Sequence, residues 1–158
     1  MTTEAQDKTK EKVKELFAAY LETNKQRRTP ERFAILDEIY MRNDHFDAEE
    51  LYIHMRNEQR NISKATVYNT LELLVNCDLV KKHQFGQNLA QYEKAYGFKQ
   101  HDHLICVKCK KVIEFCDPRI QQIKTMVSDL FDFEINHHSL NLYGECKGNC
   151  EHKAAQNS

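Results

Sequence analysis

The chain has no apolar run approaching the ~20 residues that span a bilayer, no tryptophan, and only two prolines and four glycines among its 158 residues. Membrane spans are excluded, and no internal repeat or low-complexity segment is present. Neither sign of charge dominates: the net charge is −1, and residues 1–84 carry 14 Lys/Arg against 15 Asp/Glu. Bulk charge therefore selects no partner, and any nucleic-acid surface has to be a local cluster whose balance a bound cation could tip. The first fifteen residues are mostly charged or polar and lack the apolar centre of a signal peptide, so the expected location is cytoplasmic. In that reducing compartment six cysteines point to metal before disulfides.

What is present is a hydrophobic content of 41%, that of a globular protein of one domain or two small ones. Val13, Leu16, Phe17, Tyr20 and Leu21 fall at helical spacing within 8–24 and predict an amphipathic helix with this stripe as core. Thr29 followed by Pro30 is a helix start, continued by Phe33, Ile35, Leu36 and Ile39. Asp47 to Glu50 has the spacing of a capping box and opens a third helix carrying Leu51, Ile53 and Met55. Ser63 caps a fourth, with Val67, Leu71, Leu74 and Val75 inward.

Strand-like segments follow at Leu79–Gln84 and Leu89–Glu93 around a turn at Phe85–Asn88. Short helices followed by a hairpin make the winged-helix plan, in which the last helix before the wing enters the major groove of DNA. Its first exposed residues, Ser63, Lys64, Thr66, Tyr68 and Asn69, are types that contact phosphates or base edges. Arg27 and Arg28, ahead of the second helix, are candidates for a minor groove, although an arginine pair is most often solvated surface.

Residues 94–100 lack periodicity and read as a hinge. Beyond it, His103–Val107 and Lys111–Phe115 predict two strands, Asp117-Pro118 starts a helix with Ile120, Ile123, Val127 and Leu130 on one stripe, and Glu134–Tyr143 predicts a long last strand. A unit of about sixty residues with so little core needs a staple, and its strand edges and apolar helix face suit it to dimerisation. The expected fold is α+β: an N-terminal winged helix-turn-helix domain (1–93), the hinge (94–100), a small C-terminal α/β dimerisation domain with structural zinc (101–152), and a tail (153–158).

Two metal sites are written into the second half. Cys106 and Cys109, with Cys146 and Cys150 about forty residues later, supply four thiolates, enough to close a tetrahedral zinc shell. A closed shell is structural; buried free thiols describe Cys77 and Cys116 better. His101 and His103 project to one face of a strand with Asp102 facing away, and Glu114 lies on the adjoining strand. Such imidazole and carboxylate donors suit a first-row divalent ion.

Arg28-Thr29-Pro30-Glu31-Arg32, His45-Phe46-Asp47-Ala48-Glu49, Ala65-Thr66-Val67-Tyr68, His101 through Cys106, Glu114-Phe115 and His138-Ser139-Leu140 through Cys146 occur in this order. Over residues 25–150 the chain resembles the ferric uptake regulator family. The resemblance implies a homodimeric, metal-dependent bacterial repressor that binds palindromic double-stranded DNA operators. It implies structural Zn(2+) on the four cysteines and a regulatory ion on His45, Glu93, His101, His103 and Glu114. That ion would be Fe(2+), with Mn(2+) or Zn(2+) as substitutes. A further metal site of some members would retain only Asp102 and His138 here, since Gln100 and Gln121 stand where its other ligands would be. Asn69 resembles the peroxide sensors of the family, whereas Glu114 resembles the iron sensors. Peroxide, zinc or haem sensing on the same scaffold is the alternative. A mononuclear metal enzyme is disfavoured, because no open-site zinc or deaminase motif occurs and five protein ligands leave little room for substrate.

Overall fold

The computed structural model describes residues 3–86, 90–97, 100–148 and 150. The chain divides into two compact units, Met1–Phe98 and Lys99–Ser158.

In the first unit, α1 (Thr3–Thr23), α2 (Pro30–Met41), α3 (Ala48–Asn57) and α4 (Lys64–Asn76) precede a hairpin of β1 (Val80–Gln84) and β2 (Ala90–Lys94). The helix starts are chemically specified. Asp47 accepts from the Glu50 backbone N–H while the Glu50 carboxylate takes the Asp47 N–H, a reciprocal capping box, and Ser63 Oγ accepts from Thr66 N at 3.1 Å. Thr29 occupies the N-cap of α2 without a side-chain cap bond, so Pro30 carries that start through its fixed φ. Helix α1 begins earlier than its apolar stripe, whose Leu16 faces solvent while Val13, Phe17 and Leu21 are buried.

Those three side chains pack with Ile35, Leu36 and Ile39 of α2, Leu51 and Met55 of α3, and Val67, Leu71 and Leu74 of α4 into one core. Ile53 of α3 points outward. Phe46 joins the core and pairs with Tyr92 through two backbone hydrogen bonds of 3.1 and 2.7 Å, which ties the loop before α3 to the wing. Tyr40 closes the other side: its hydroxyl donates to Leu79 O at 2.7 Å and accepts from Tyr96 N at 3.2 Å. Burial pushes this phenol up to about 12. The hairpin runs antiparallel with Lys81 opposite Glu93 and His83 opposite Gln91. Gln87, Asn88 and Leu89, part of the expected wing turn and strand, lie outside the described residues, as do Phe98 and Lys99 of the expected hinge and the tail.

The second unit holds β3 (Asp102–Cys106), β4 (Val112–Phe115), α5 (Pro118–Phe131) and β5 (Asn141–Gly144), with β3 central. It pairs antiparallel with β4 and parallel with β5. The expected strand from Glu134 is therefore cut to its last four residues: β3 offers only His103–Cys106 as partners to β5, and 134–140 run without a ladder. Asp117 caps α5 through Arg119 N, but none of the residues of α5 is buried. Ile123, Met126, Leu130 and Phe131 stand 50–71% exposed, an apolar face of the kind that marks an interaction surface. Among the described residues of this unit the buried apolar side chains are Ile105, Cys106 and Cys109.

No helix among the described residues is long and apolar enough to cross a membrane.

Candidate metal centres and nucleic-acid interface

The four cysteines converge. Cys106 and Cys109 bracket the β3–β4 turn, which Lys110 completes in the left-handed region at φ 63° with its N–H donating to Cys106 O. Cys146 and Cys150 follow β5, beside β3 in the sheet. Gly148 in their loop has φ +118°, where a side chain would be strained. All four Sγ atoms lie within 4.8 Å of one another, and the Cys106–Cys150 and Cys109–Cys146 pairs stand 3.8 Å apart.

A tetrahedral shell with Zn–S bonds of about 2.3 Å has S···S edges of about 3.8 Å. A disulfide needs about 2.05 Å, and all six cysteines are free thiols. The donor set thus fits structural zinc, with no position left for substrate. Backbone N–H groups of Cys109 and Cys146, then Lys108, hold the Cys106 thiol down to about 6, so this cysteine is already poised as a thiolate. Cys146 is pushed up to about 12, first by hydrogen bonding with Cys106 and Cys109. Cys77 is half-buried at the end of α4, as a free core thiol should be, whereas Cys116 is exposed, contrary to the sequence expectation.

The remaining metal-type donors form one cluster in each unit. In the first, the His45 ring lies just before Phe46, and Nε2 is 3.2 Å from Glu93 Oε2 at the end of β2. Glu93 is only 4% exposed. The Phe46–Tyr92 bridge explains the approach, because Glu93 follows Tyr92 and His45 precedes Phe46. His83 of β1, a residue the sequence did not single out, donates from Nε2 to the other carboxylate oxygen, Oε1, at 2.7 Å. Only the hairpin register could have revealed it: His83 and Glu93 are diagonal neighbours on one face.

In the second unit, the His101 and His103 rings meet edge to face with centroids 4.9 Å apart. His103 sits opposite Glu114 across the β3–β4 ladder, and Glu114 Oε1 is 3.8 Å from His101 Nε2. His103 is 3% exposed. Asp102, also 3% exposed, turns away from both and accepts from His138 Nε2 at 2.9 Å. Gln100 donates to the His138 carbonyl at 3.1 Å, so these residues clasp the segment before β5 to β3.

On the winged unit, Arg27, Ser63, Thr66 and Asn69 line one cleft of about 590 Å³ together with Lys25, Arg32 and Asn61. Arg32, missed in the sequence, explains its shape: its guanidinium donates to Arg27 O at 2.6 Å and fixes the segment ahead of α2. Arg28 and Tyr68 are exposed outside that lining. Lys64 is not a free cation, since Glu49 of α3 forms a salt bridge with it and raises its pKa; its ammonium also lies 5.9 Å from the Tyr68 ring centre.

Residues 23–143 match the profile of the ferric uptake regulator family. The peroxide-responsive repressor PerR of Staphylococcus aureus is 32% identical over 125 residues, 79% of this chain and 82% of that protein. Among solved structures, the Helicobacter pylori ferric uptake regulator Fur, described as having three functional metal binding sites, aligns with a TM-score of 0.79 at 26% identity, over 88% of this chain and 92% of its own. Vibrio cholerae Fur aligns at 0.69 with 33% identity, covering 80% and 96%. With four thiols at zinc spacing, a winged unit and this match across most of the length, the chain belongs to the ferric uptake regulator family, whose members are metal-responsive, DNA-binding dimeric regulators and not enzymes.

Proposed function

We propose that this protein is a cytoplasmic, Fe(II)-responsive repressor of iron-uptake genes that binds palindromic double-stranded operators as a homodimer. The observation that carries the reading is the pair of clusters, His45 with buried Glu93, and His101 and buried His103 with the exposed Glu114 at their edge. A carboxylate as enclosed as Glu93, set among imidazoles, is a costly arrangement that a cation relieves. His45, Glu93, His101, His103 and Glu114 would hold one regulatory ion, while Cys106, Cys109, Cys146 and Cys150 hold structural zinc. The regulatory ion supplies, when bound, a divalent charge shared by donors from both units.

Residues 94–100 serve as the hinge between the winged domain (1–93) and the dimerisation domain (101–152). Moving a two-state equilibrium from 1:99 to 99:1 takes about 5.5 kcal/mol of differential affinity. A donor set split across the hinge supplies it, because only one relative placement of the domains satisfies both halves. Arg27, Arg28, Ser63, Lys64, Thr66, Tyr68 and Asn69 form the DNA-contacting surface. Asp102 and His138, joined through Nε2 of the histidine, act as a clasp in place of a third ion.

Peroxide sensing is the second reading, favoured by Asn69 and by the similarity to PerR. Glu114, which resembles the iron sensors at this position, favours iron. The test is anaerobic operator binding by the zinc-loaded dimer with Fe(II), Mn(II) or Zn(II), followed by peroxide. Fe(II)-dependent binding that survives peroxide supports iron sensing. Rapid loss with oxidation of an iron-bound histidine supports the peroxide reading, and metal-independent binding sinks both.

A further inference from the structure

The winged unit places a half-buried histidine against Glu93 that the five-residue ligand set leaves unused. His83 lies on β1 diagonally across from Glu93, and its Nε2 is 2.7 Å from Oε1. A carboxylate only accepts, so the imidazole N–H donates. The other oxygen, Oε2, faces His45 Nε2 at 3.2 Å. The two oxygens of Glu93 are therefore already assigned to different imidazoles.

The orientation of His83 is fixed independently of Glu93. Its ring stacks on Phe85, with centroids 5.3 Å apart and planes within 4°, and Phe85 is 3% exposed. His45 meets both rings edge-on, at 5.9 Å from His83 and 6.0 Å from Phe85. Stacking on a buried phenylalanine fixes the plane of the imidazole, and within that plane Nε2 is directed at Oε1.

Resting on the assignment of Glu93 as a regulatory-metal ligand, we propose that His83 is a positioning residue: its hydrogen bond reserves Oε1 and so makes Glu93 a one-oxygen ligand through Oε2. A carboxylate left without such a partner rotates freely and can offer both oxygens to one ion. That raises the coordination number and weakens preference among first-row metals. His83 thus tunes the donor count from outside the ligand set.

The test uses the zinc-loaded full-length dimer titrated with Co(II), whose visible d–d bands weaken as coordination number rises. His83→Leu retains bulk against Phe85 but lacks a donor; His83→Gln retains a donor. The expected result is Co(II) affinity about 10–100-fold weaker in His83→Leu, with weaker d–d bands, and restoration of both toward wild type in His83→Gln. Wild-type affinity and spectrum in His83→Leu overturn the proposal. So does loss of an imidazole ligand in His83→Leu that His83→Gln does not restore, because His83 would then coordinate directly. Glu93→Ala separates the two levels: unchanged Co(II) binding there removes the ligand assignment itself, whereas weakened binding there with an unaffected His83→Leu removes only the positioning role.

Discussion

Removing zinc from this protein should dissolve one half of it and spare the other. In the second unit the buried apolar side chains among the described residues are Ile105, Cys106 and Cys109, and α5 buries none of its residues. Full burial of one isoleucine contributes about 1.5–3 kcal/mol, whereas structural zinc contributes about 10–16 kcal/mol in small domains. The metal therefore outweighs the hydrophobic core of this unit several-fold. The first unit packs four helices and a hairpin around a continuous core that includes no metal-type thiolate. Cys106→Ser, or chelation of the wild type, should leave the second unit unfolded at 25 °C and the first folded. Amide hydrogen exchange with parallel zinc quantitation reads this directly. Protection should vanish at His103 and Cys106, whose amides bond to Leu140 and Lys111 carbonyls, and persist through α4. Wild-type protection along β3 in protein shown to contain no zinc would falsify the argument that the staple, and not the core, holds this unit.

Four further outcomes follow from the same geometry. Zinc retention should fall on acidification in the presence of a chelator, because each thiolate has to take up a proton as it leaves the metal. A chromogenic zinc indicator followed from neutral pH downward checks this, and zinc retention independent of pH would refute it. Ser63→Ala removes the acceptor for Thr66 N and should cost about 1 kcal/mol in urea denaturation of the winged unit. Tyr40→Phe leaves Tyr96 N without this acceptor and takes one of two donors from Leu79 O, which keeps the Ala95 N–H, and should cost about 1–3 kcal/mol, visible as a lower midpoint with unchanged m-value. Leu130→Glu, on the exposed face of α5, should convert the dimer to monomer in sedimentation with zinc content intact; an unaltered dimer would exclude that face from the interface.

Much was determined locally and could be read without coordinates. Helix starts at Asp47 and Ser63 depend on side chains reaching backbone groups three residues on, so they are visible as patterns. The thiol pairs are equally local, because Cys106-x-x-Cys109 and Cys146-x-x-x-Cys150 each bring two donors together within one turn, and the two pairs leave one closed solution. The same reasoning overreached where partners lie far along the chain. The run from Glu134 has strand character, yet only Asn141–Gly144 find a ladder, since β3 is five residues long. Leu16 and Ile53 match helical stripes but face solvent, because stripe width depends on what packs opposite.

The tertiary structure decided which polar groups meet. Glu93 and His83 are ten residues apart and acquire their 2.7 Å bond only from the antiparallel register. Asp102 and His138 are thirty-six apart and meet only because β5 lies parallel beside β3. The sequence by itself determined the inventory of ligands, caps and apolar stripes, each defined within a turn or two of chain. Strand pairing and side-chain packing decided their pairing, because a hydrogen bond at 2.7 Å depends on the register of two strands, information carried by no single segment.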